Sequence, residues 1–247
     1  MAIAKMRADQ ALVTRGLVET RSKAQALIMA GKVFTGEQRV EKPGAQIRDN
    51  KPLDVRGQDH PWVGRGGLKL AHAIEHFGLD ATDVTAIDVG SSTGGFTDVL
   101  LANGAAKVFA VDVGKGQLAW KLRTDERVVV LEGQNARYLT AEHILDPAGA
   151  IVCDASFIGL ATVLSTPMSF AVSGAWIAAL IKPQFEAGRG NVGKNGVVKD
   201  TAVREAVVDR IQNWLANDMG WHVMGITESP ITGAEGNVEY LIAATKP

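Results

Sequence analysis

The chain has 247 residues, 26 Lys+Arg against 27 Asp+Glu, and a net charge of −1; at roughly 150 residues per domain it holds one large domain or two unequal ones. Its 46% hydrophobic and 21% charged residues exclude wholesale disorder. The one cysteine, Cys153, excludes an intramolecular disulfide framework, and the apolar run Phe170 to Ile181 is too short for the ~20 residues of a membrane helix.

Charge divides the chain unevenly. Residues 1–60 carry 11 Lys+Arg and 7 Asp+Glu, whereas residues 61–247 carry 15 and 20. A basic segment on an acidic body points the small part toward an anionic partner. The charged start, Met1-Ala-Ile-Ala-Lys-Met-Arg7, has no apolar core of the secretory kind, so a cytoplasmic protein is expected.

Taken in order, Ala8 to Leu17 has helical apolar spacing, with Gly16 as its stop. Arg21 to Ala30 predicts a second helix, with Ser22 as N-cap and Gly31 at the C′ position. Val33-Phe34 reads as a short strand, Lys42-Pro43-Gly44-Ala45 as a turn, and Ile47 and Leu53 to Val55 as weak strands. This predicts a small α+β domain over 1–60 and a linker over 61–64. Residues 65–247 form the second domain.

From Trp62 strands alternate with helices. Strands are predicted at Val84 to Val89, Lys107 to Val111, Arg127 to Leu131, Gly149 to Cys153 and Ala175 to Ile181. Helices are predicted at Gly95 to Ala102, Gln117 to Leu122, from Gly159 onward, and at Thr201 to Asn217 behind the cap Asp200. Trp221 to Glu228 and Val238 to Ala244 close the chain as two strands. Such alternation specifies an α/β fold: a mostly parallel, Rossmann-like sheet of seven strands with an antiparallel edge, covered on both faces.

The most informative stretch, Asp88-Val-Gly-Ser-Ser-Thr-Gly-Gly-Phe-Thr97, follows the first of these strands and opens a helix. Glycines allow a tight turn and close approach to a ligand. A dinucleotide site would want G-x-G-x-x-G, but Ser92 occupies the second glycine position. Asp112 lies about 20 residues further on, where an acid suits a pair of ribose hydroxyls. A glycine loop with a ribose acid and no pyrophosphate pattern fits S-adenosylmethionine. Spacing alone leaves a purely structural turn open as the alternative.

These residues resemble the first motif of the hemolysin A (TlyA) family, S-adenosylmethionine-dependent rRNA 2′-O-methyltransferases of the FtsJ-like class. The similarity runs nearly end to end. Arg7-Ala-Asp-Gln-Ala-Leu, Arg15-Gly-Leu, Ser22-Lys-Ala, Gly31-Lys-Val and Lys42-Pro43-Gly44 resemble the family's small RNA-binding module, the S-four domain. Trp62-Val63 resembles its interdomain linker. Arg65-Gly-Gly-Leu-Lys69-Leu, Val113-Gly-Lys-Gly-Gln-Leu118, Cys153-Asp154-Ala-Ser-Phe157, Ile181-Lys182-Pro-Gln-Phe-Glu186 and Asn237-Val-Glu239-Tyr240 are also family-like.

The resemblance implies a catalytic set of Lys69, Asp154, Lys182 and Glu239. Asp154 and Lys182 fall just past predicted strands, at the sheet edge where ligands bind. Lys69 is placed on a polar helix face with His72 and His76, opposite Leu70, Ala71, Ile74 and Phe77. A lysine whose charged form is disfavoured can take the proton of a ribose 2′-hydroxyl. That role falls to Lys182, oriented by Asp154, with Lys69 tuning it and Glu239 positioning Lys69 or the hydroxyl.

For the cofactor the resemblance implies Gly90, Ser91, Ser92, Thr93, Gly94, Gly95 and Phe96, with Asp112 on the ribose. It also implies Asp88 toward the methionine amine and the segment Glu132 to Asn135 toward the adenine. Arg7, Arg15, Arg21, Lys23, Lys32 and Arg65 are the RNA-binding candidates, and ribosomal RNA within ribosomal subunits is the implied partner. No metal site, no membrane association and a monomer are expected. His72-Ala-Ile-Glu75-His76 matches a zinc-peptidase pattern, but an exposed helix face accounts for it better. Phe185 to Lys199 reads as a long loop of the substrate-contacting kind. A non-enzymatic ribosome-assembly factor and a membrane-active cytolysin are the competing readings; the second lacks any amphipathic basic stretch.

Overall fold

A computed structural model of the chain describes residues 5–18, 20–48, 51–55, 60–193 and 195–247. The N-terminal part comprises β1 (Lys5–Arg7), α1 (Ala8–Thr14), α2 (Arg21–Met29), β2 (Val33–Thr35), β3 (Gln38–Arg39), β4 (Gln46–Arg48) and β5 (Asp54–Val55). β1 pairs antiparallel with β4, and β2 pairs antiparallel with both β3 and β5. Their core is Ala8, Ala11, Leu12, Val18, Ala24, Ile28, Val33, Val40, Ile47 and Leu53.

One expectation for this part changes. The cap of α2 is Thr20, whose hydroxyl accepts from the Lys23 amide at 3.2 Å; Ser22 lies inside the first turn. The charged stretch at Lys5–Arg7, which carries no strand signal of its own, is a strand because β4 supplies the partner. Gly31 does follow the end of α2 with φ +70°. Residues 56–59, just before the expected linker at 61–64, lie outside the described residues.

The larger part runs α3 (Gly66–Phe77), β6 (Thr85–Val89), α4 (Gly95–Ala102), β7 (Lys107–Asp112), α5 (Trp120–Arg123), β8 (Val128–Glu132), β9 (Ala148–Cys153), α6 (Leu160–Ser169), β10 (Ala171–Ile181), α7 (Pro183–Glu186), α8 (Thr201–Asn213), β11 (His222–Glu228) and β12 (Tyr240–Thr245). Its seven strands form one sheet in the order β11-β12-β10-β9-β6-β7-β8. β10, β9, β6, β7 and β8 are mutually parallel, and β12 runs against both β10 and the edge strand β11.

Both sheet faces are covered, which is why the strands are continuous apolar runs rather than alternating ones. Ile87, Val89, Phe109, Ile151 and Ile177 meet Leu164 of α6 and Ile211 of α8 on one face. Ala86, Val108, Ala110, Val152 and Leu180 meet Leu70 of α3 and Leu100 of α4 on the other. Each fully buried Leu, Ile or Phe contributes about 1.5–3 kcal/mol of transfer free energy. From Ala171 on, the run at Phe170 to Ile181 is thus the interior strand β10. It starts earlier than expected, because its register shifts between Ala171 and Trp176, with Gly174 at φ +80°. Among the described residues no helix is long and apolar enough to cross a membrane.

Candidate active site

The parallel strands deliver side chains at their carboxyl ends. Asp154 follows β9 and Lys182 follows β10. β12 runs the opposite way, so its beginning reaches the same edge, and Glu239 immediately precedes it. Lys69 comes from the second turn of α3.

The four side chains form one chain of contacts. The Lys182 ammonium lies 2.7 Å from Asp154 Oδ1. Lys69 Nζ lies 3.5 Å from that same oxygen and donates to Glu239 Oε2 at 2.7 Å. Lys69, Lys182 and Glu239 are buried, and Asp154 is largely covered. Two ammoniums and two carboxylates alternate, so each buried charge has an opposite neighbour, as burial requires.

Lys69 does not lie on a polar face. It is buried with Leu70 and Ala73, while His76 is exposed. A lysine occupies the apolar side because its ammonium meets two carboxylates there. His72 and His76 stack on each other, ring centroids 5.5 Å apart.

Lys182 Nζ also donates to the Asp154 carbonyl and to Ser156 Oγ, both at 2.9 Å. Gln184 Nε2 donates to Glu239 Oε1 at 2.9 Å. Neither Ser156 nor Gln184 was assigned a role from sequence, although each stands two residues beyond an assigned one. Beside them Phe157, 89% exposed and at φ +65°, lies 4.9 Å from Phe185, ring centre to ring centre. No local sequence signal marks such a ring.

Two cavities of about 410 Å³ each meet at Gly90, Ser92, Asp154, Ser156 and Phe157. The first is lined further by Val89, Asp112, Gln117, Gln134 and Asn135. The second takes in Lys69, Lys182 and Glu239, and also Ser91, Thr93, Gly95, Phe96, Arg65 and Lys23.

The glycine loop is built as much by packing as by ligand access. A Cβ on Gly90 (φ +82°) would stand 2.8 Å from the Ala155 Cα, and one on Gly95 would stand 2.9 Å from the Gly67 nitrogen. Gly94 (φ +95°) leaves room for Leu118 and Leu122 and lines neither cavity. Asp112 shapes the loop from outside, accepting from the Ser92 amide and the Gly114 amide at 2.7 Å each.

Asp88 also lies behind the loop. It is fully buried, and its Oδ2 accepts from the Thr97 amide and hydroxyl at 3.0 and 2.7 Å. Burial pushes its carboxyl up to about 7, against the Thr97 hydrogen bond that pulls it down. Its Oδ1 and the buried Ser91 Oγ have no protein partner. The Cys153 thiol is pushed up to about 12 by burial, which makes it an unreactive core residue.

Glu132, expected near an adenine, is instead a brace. It accepts from the Gly116, Gln117 and Leu118 amides at 2.9–3.1 Å and pairs with Arg123 at 2.7 Å. Burial opposes its ionisation, but Arg123 and these amides outweigh that and hold it down near 2. Asn135 Oδ1 accepts from the Arg137 amide, which leaves its Nδ2 as a donor.

In the N-terminal part, Arg7 and Arg21 both bind the buried Asp9, at 3.0 and 2.8 Å. The Arg7 hydrogen bond leads the contributions, with Gln25 and Arg21, that hold the Asp9 carboxyl far below the usual range. Arg15 donates to the Lys51 and Arg48 carbonyls. These three arginines therefore organise the fold with part of their donors, while Lys23, Lys32 and Arg65 are exposed. The expected loop Phe185 to Lys199 begins with α7, where Glu186 accepts from the Leu160 amide and pairs with Arg210. Asn237 holds its far end through Gly196 and Val198. Lys194 lies outside the described residues.

Residues 62–246 match the FtsJ-like methyltransferase family, and residues 6–51 match the S4 domain. The chain therefore belongs to the FtsJ-like methyltransferase family. Within it, the chain resembles the TlyA proteins. It is 46% identical over 239 residues to the 16S/23S rRNA (cytidine-2′-O)-methyltransferase TlyA of Mycobacterium tuberculosis, covering 96% of this chain and 89% of that protein. It is 48% identical over 239 residues to YqxC of Bacillus subtilis, provisionally named an rRNA methyltransferase, covering 96% and 85%. A solved structure from Streptococcus thermophilus, provisionally named a hemolysin, superposes with a TM-score of 0.75 at 42% identity, covering 99% of this chain and 90% of that one.

Proposed function

We propose that this protein uses S-adenosylmethionine to methylate the ribose 2′-hydroxyl of a cytidine in ribosomal RNA, acting as a monomer on ribosomal subunits in the cytoplasm. On this reading residues 1–60 are the RNA-binding domain, 61–64 the linker and 65–247 the methyltransferase domain. The observation that carries it is the continuous Glu239–Lys69–Asp154–Lys182 contact at the carboxyl edge of the sheet. It lies in a cavity that adjoins the glycine-loop cavity.

The first cavity has donors and acceptors that fit the cofactor. Asp112 offers its remaining lone pairs to ribose hydroxyls, and Asn135 Nδ2 and Gln134 face the adenine end. Ser91 Oγ and Asp88 Oδ1 are buried polar atoms without protein partners, and the polar tail of an amino acid would satisfy them. When bound, S-adenosylmethionine supplies an electrophilic methyl group. Gly90 and Ser92 stand where the two cavities meet, Ser91, Thr93, Gly95 and Phe96 line the second, and Gly94 packs behind them on Leu118 and Leu122.

The target ribose enters the second cavity. Lys182 in its neutral form takes the hydroxyl proton, and Asp154 orients Lys182. Lys69 holds the ribose side of Asp154, and Glu239, with both oxygens engaged, positions Lys69. Most of the acceleration comes from in-line alignment of oxygen, methyl carbon and sulfur.

A nucleotide must leave its helix to reach this depth. Phe157 and Phe185 stand at the mouth as a stacking surface for the extruded base. Lys23 and Arg65 line the same cavity and suit the neighbouring phosphates. Lys32 and the outer donors of Arg7, Arg15 and Arg21 extend that phosphate-binding surface.

The test mixes the protein and labelled S-adenosylmethionine with subunits from cells lacking the activity, with Lys182→Ala alongside. Label recovered as 2′-O-methylcytidine, and lost in the variant, is the expected result. Label on another nucleotide position, or none, overturns the reading.

A further inference from the structure

We infer that Ser156 relays the hydroxyl proton of the target ribose to Lys182. This rests on the functional reading above and deepens it. Three oxygens surround Lys182 Nζ: Asp154 Oδ1 at 2.7 Å, the Asp154 carbonyl at 2.9 Å and Ser156 Oγ at 2.9 Å. The ammonium donates to the Asp154 carbonyl and to Ser156 Oγ, and its contact with Asp154 Oδ1 is an ion pair without a hydrogen bond, so this shell suits the charged lysine.

The base must be the neutral amine, which has two N–H groups and one lone pair. That lone pair, nearly out of reach of solvent, needs a donor. A carbonyl and a carboxylate only accept. Of the three groups only the Ser156 hydroxyl can reverse and donate. Ser156 therefore can accept from the ammonium and donate to the neutral amine, whereas the Asp154 oxygens only accept from the N–H groups that either state keeps.

Ser156 also stands where such a relay must stand. It lines both cavities, at the boundary between the glycine-loop cavity and the one that holds the four charged side chains. A hydroxyl that crosses this boundary is next to the point where oxygen and methyl carbon meet. Lys182 lines only the second cavity.

The step balances. The ribose oxygen gains the methyl carbon as that carbon's bond to sulfur breaks, and the bonding pair stays on sulfur. The proton leaving the ribose oxygen goes to Ser156 Oγ, and the proton leaving Ser156 Oγ goes to the Lys182 lone pair. Ser156 ends as it began, and Lys182 ends as an ammonium beside the Asp154 carboxylate.

The experiment compares wild type, Ser156→Ala and Ser156→Thr on the subunit substrate under single-turnover conditions, with Lys182→Ala alongside. Calorimetry of S-adenosylhomocysteine binding is run on the same proteins. Ser156→Ala is expected to slow methyl transfer by about 10²–10⁴-fold, with inhibitor affinity and RNA KM within threefold of wild type and Ser156→Thr restoring most of the rate. The rate as a function of deuterium fraction is expected to bow in wild type, as two protons move together, and to be linear in Ser156→Ala. Linear plots in both, or an alanine variant within threefold of wild type, overturn the relay while leaving the functional reading intact. A wild type that transfers no methyl group overturns both.

Discussion

Lys69 and Glu239 are 170 residues apart in sequence and 2.7 Å apart in the fold, both buried. Removing one partner of such a pair strands the other charge. Lys69→Met is therefore expected to cost about 3 kcal/mol in urea unfolding. Glu239→Gln alone is expected to cost less, since Gln184 still meets it, and the double variant Lys69→Met/Glu239→Gln is expected to recover at least 1 kcal/mol over the sum. Additive losses would mean that the two side chains do not depend on each other.

The pH dependence of stability is set near neutrality by Asp88. Its carboxyl sits near 7 in the fold, because of burial, against ~4 in the unfolded chain. The folded state thus holds this proton more tightly, so the contribution is complete below about pH 4 and is lost as pH rises through 7. Asp88→Asn keeps an acceptor for Thr97 and removes the titration. Melting temperatures at pH 5 and pH 8 are expected to differ less in the variant than in wild type, with the gain at pH 8. Equal differences would place the titration elsewhere.

Gly90 and Gly116 are expected to respond differently to alanine. Gly90 is left-handed and has Ala155 backbone 2.8 Å from its Cβ position. No side chain can yield there, so Gly90→Ala is expected to cost at least about 2 kcal/mol and to abolish binding of S-adenosylhomocysteine. Gly116 is left-handed at +70° with nothing within 4 Å, so Gly116→Ala is expected to cost only about 1 kcal/mol. Calorimetry and denaturant melts of both variants decide it.

Phe157 is left-handed and almost fully exposed, which no packing gain explains. Phe157→Gly is expected to raise stability by about 1 kcal/mol by relieving the backbone. It is also expected to weaken RNA binding roughly tenfold to a hundredfold, the range of one lost stacking partner. Unchanged RNA affinity would remove the ring from the substrate path.

How far the sequence carried this reading varied with the kind of feature. Covered parallel strands write themselves as apolar runs, so β6, β7 and β9 were legible nearly to the residue. β1 was not, because Lys5–Arg7 has strand geometry only in the presence of β4. Asp154 and Lys182 were legible as residues just past strands. That Lys69 is buried was not, because the carboxylate that admits it sits at the other end of the chain. Asp88, Asp112 and Glu132 looked alike as acids near strand ends. Only the fold separates a buried strut, a loop former on the cavity wall and a brace.

The placement of β12 has a consequence for synthesis. Chains emerge from the ribosome in order, and domains begin to fold as they emerge. β12 is the last of the seven strands to be made, yet it lies between β10 and β11 and brings Glu239 to Lys69. Until it appears, β10 is an open edge and Lys69 is without its nearest acid. A nascent chain can therefore hold the glycine loop in place well before it can hold the charged set together.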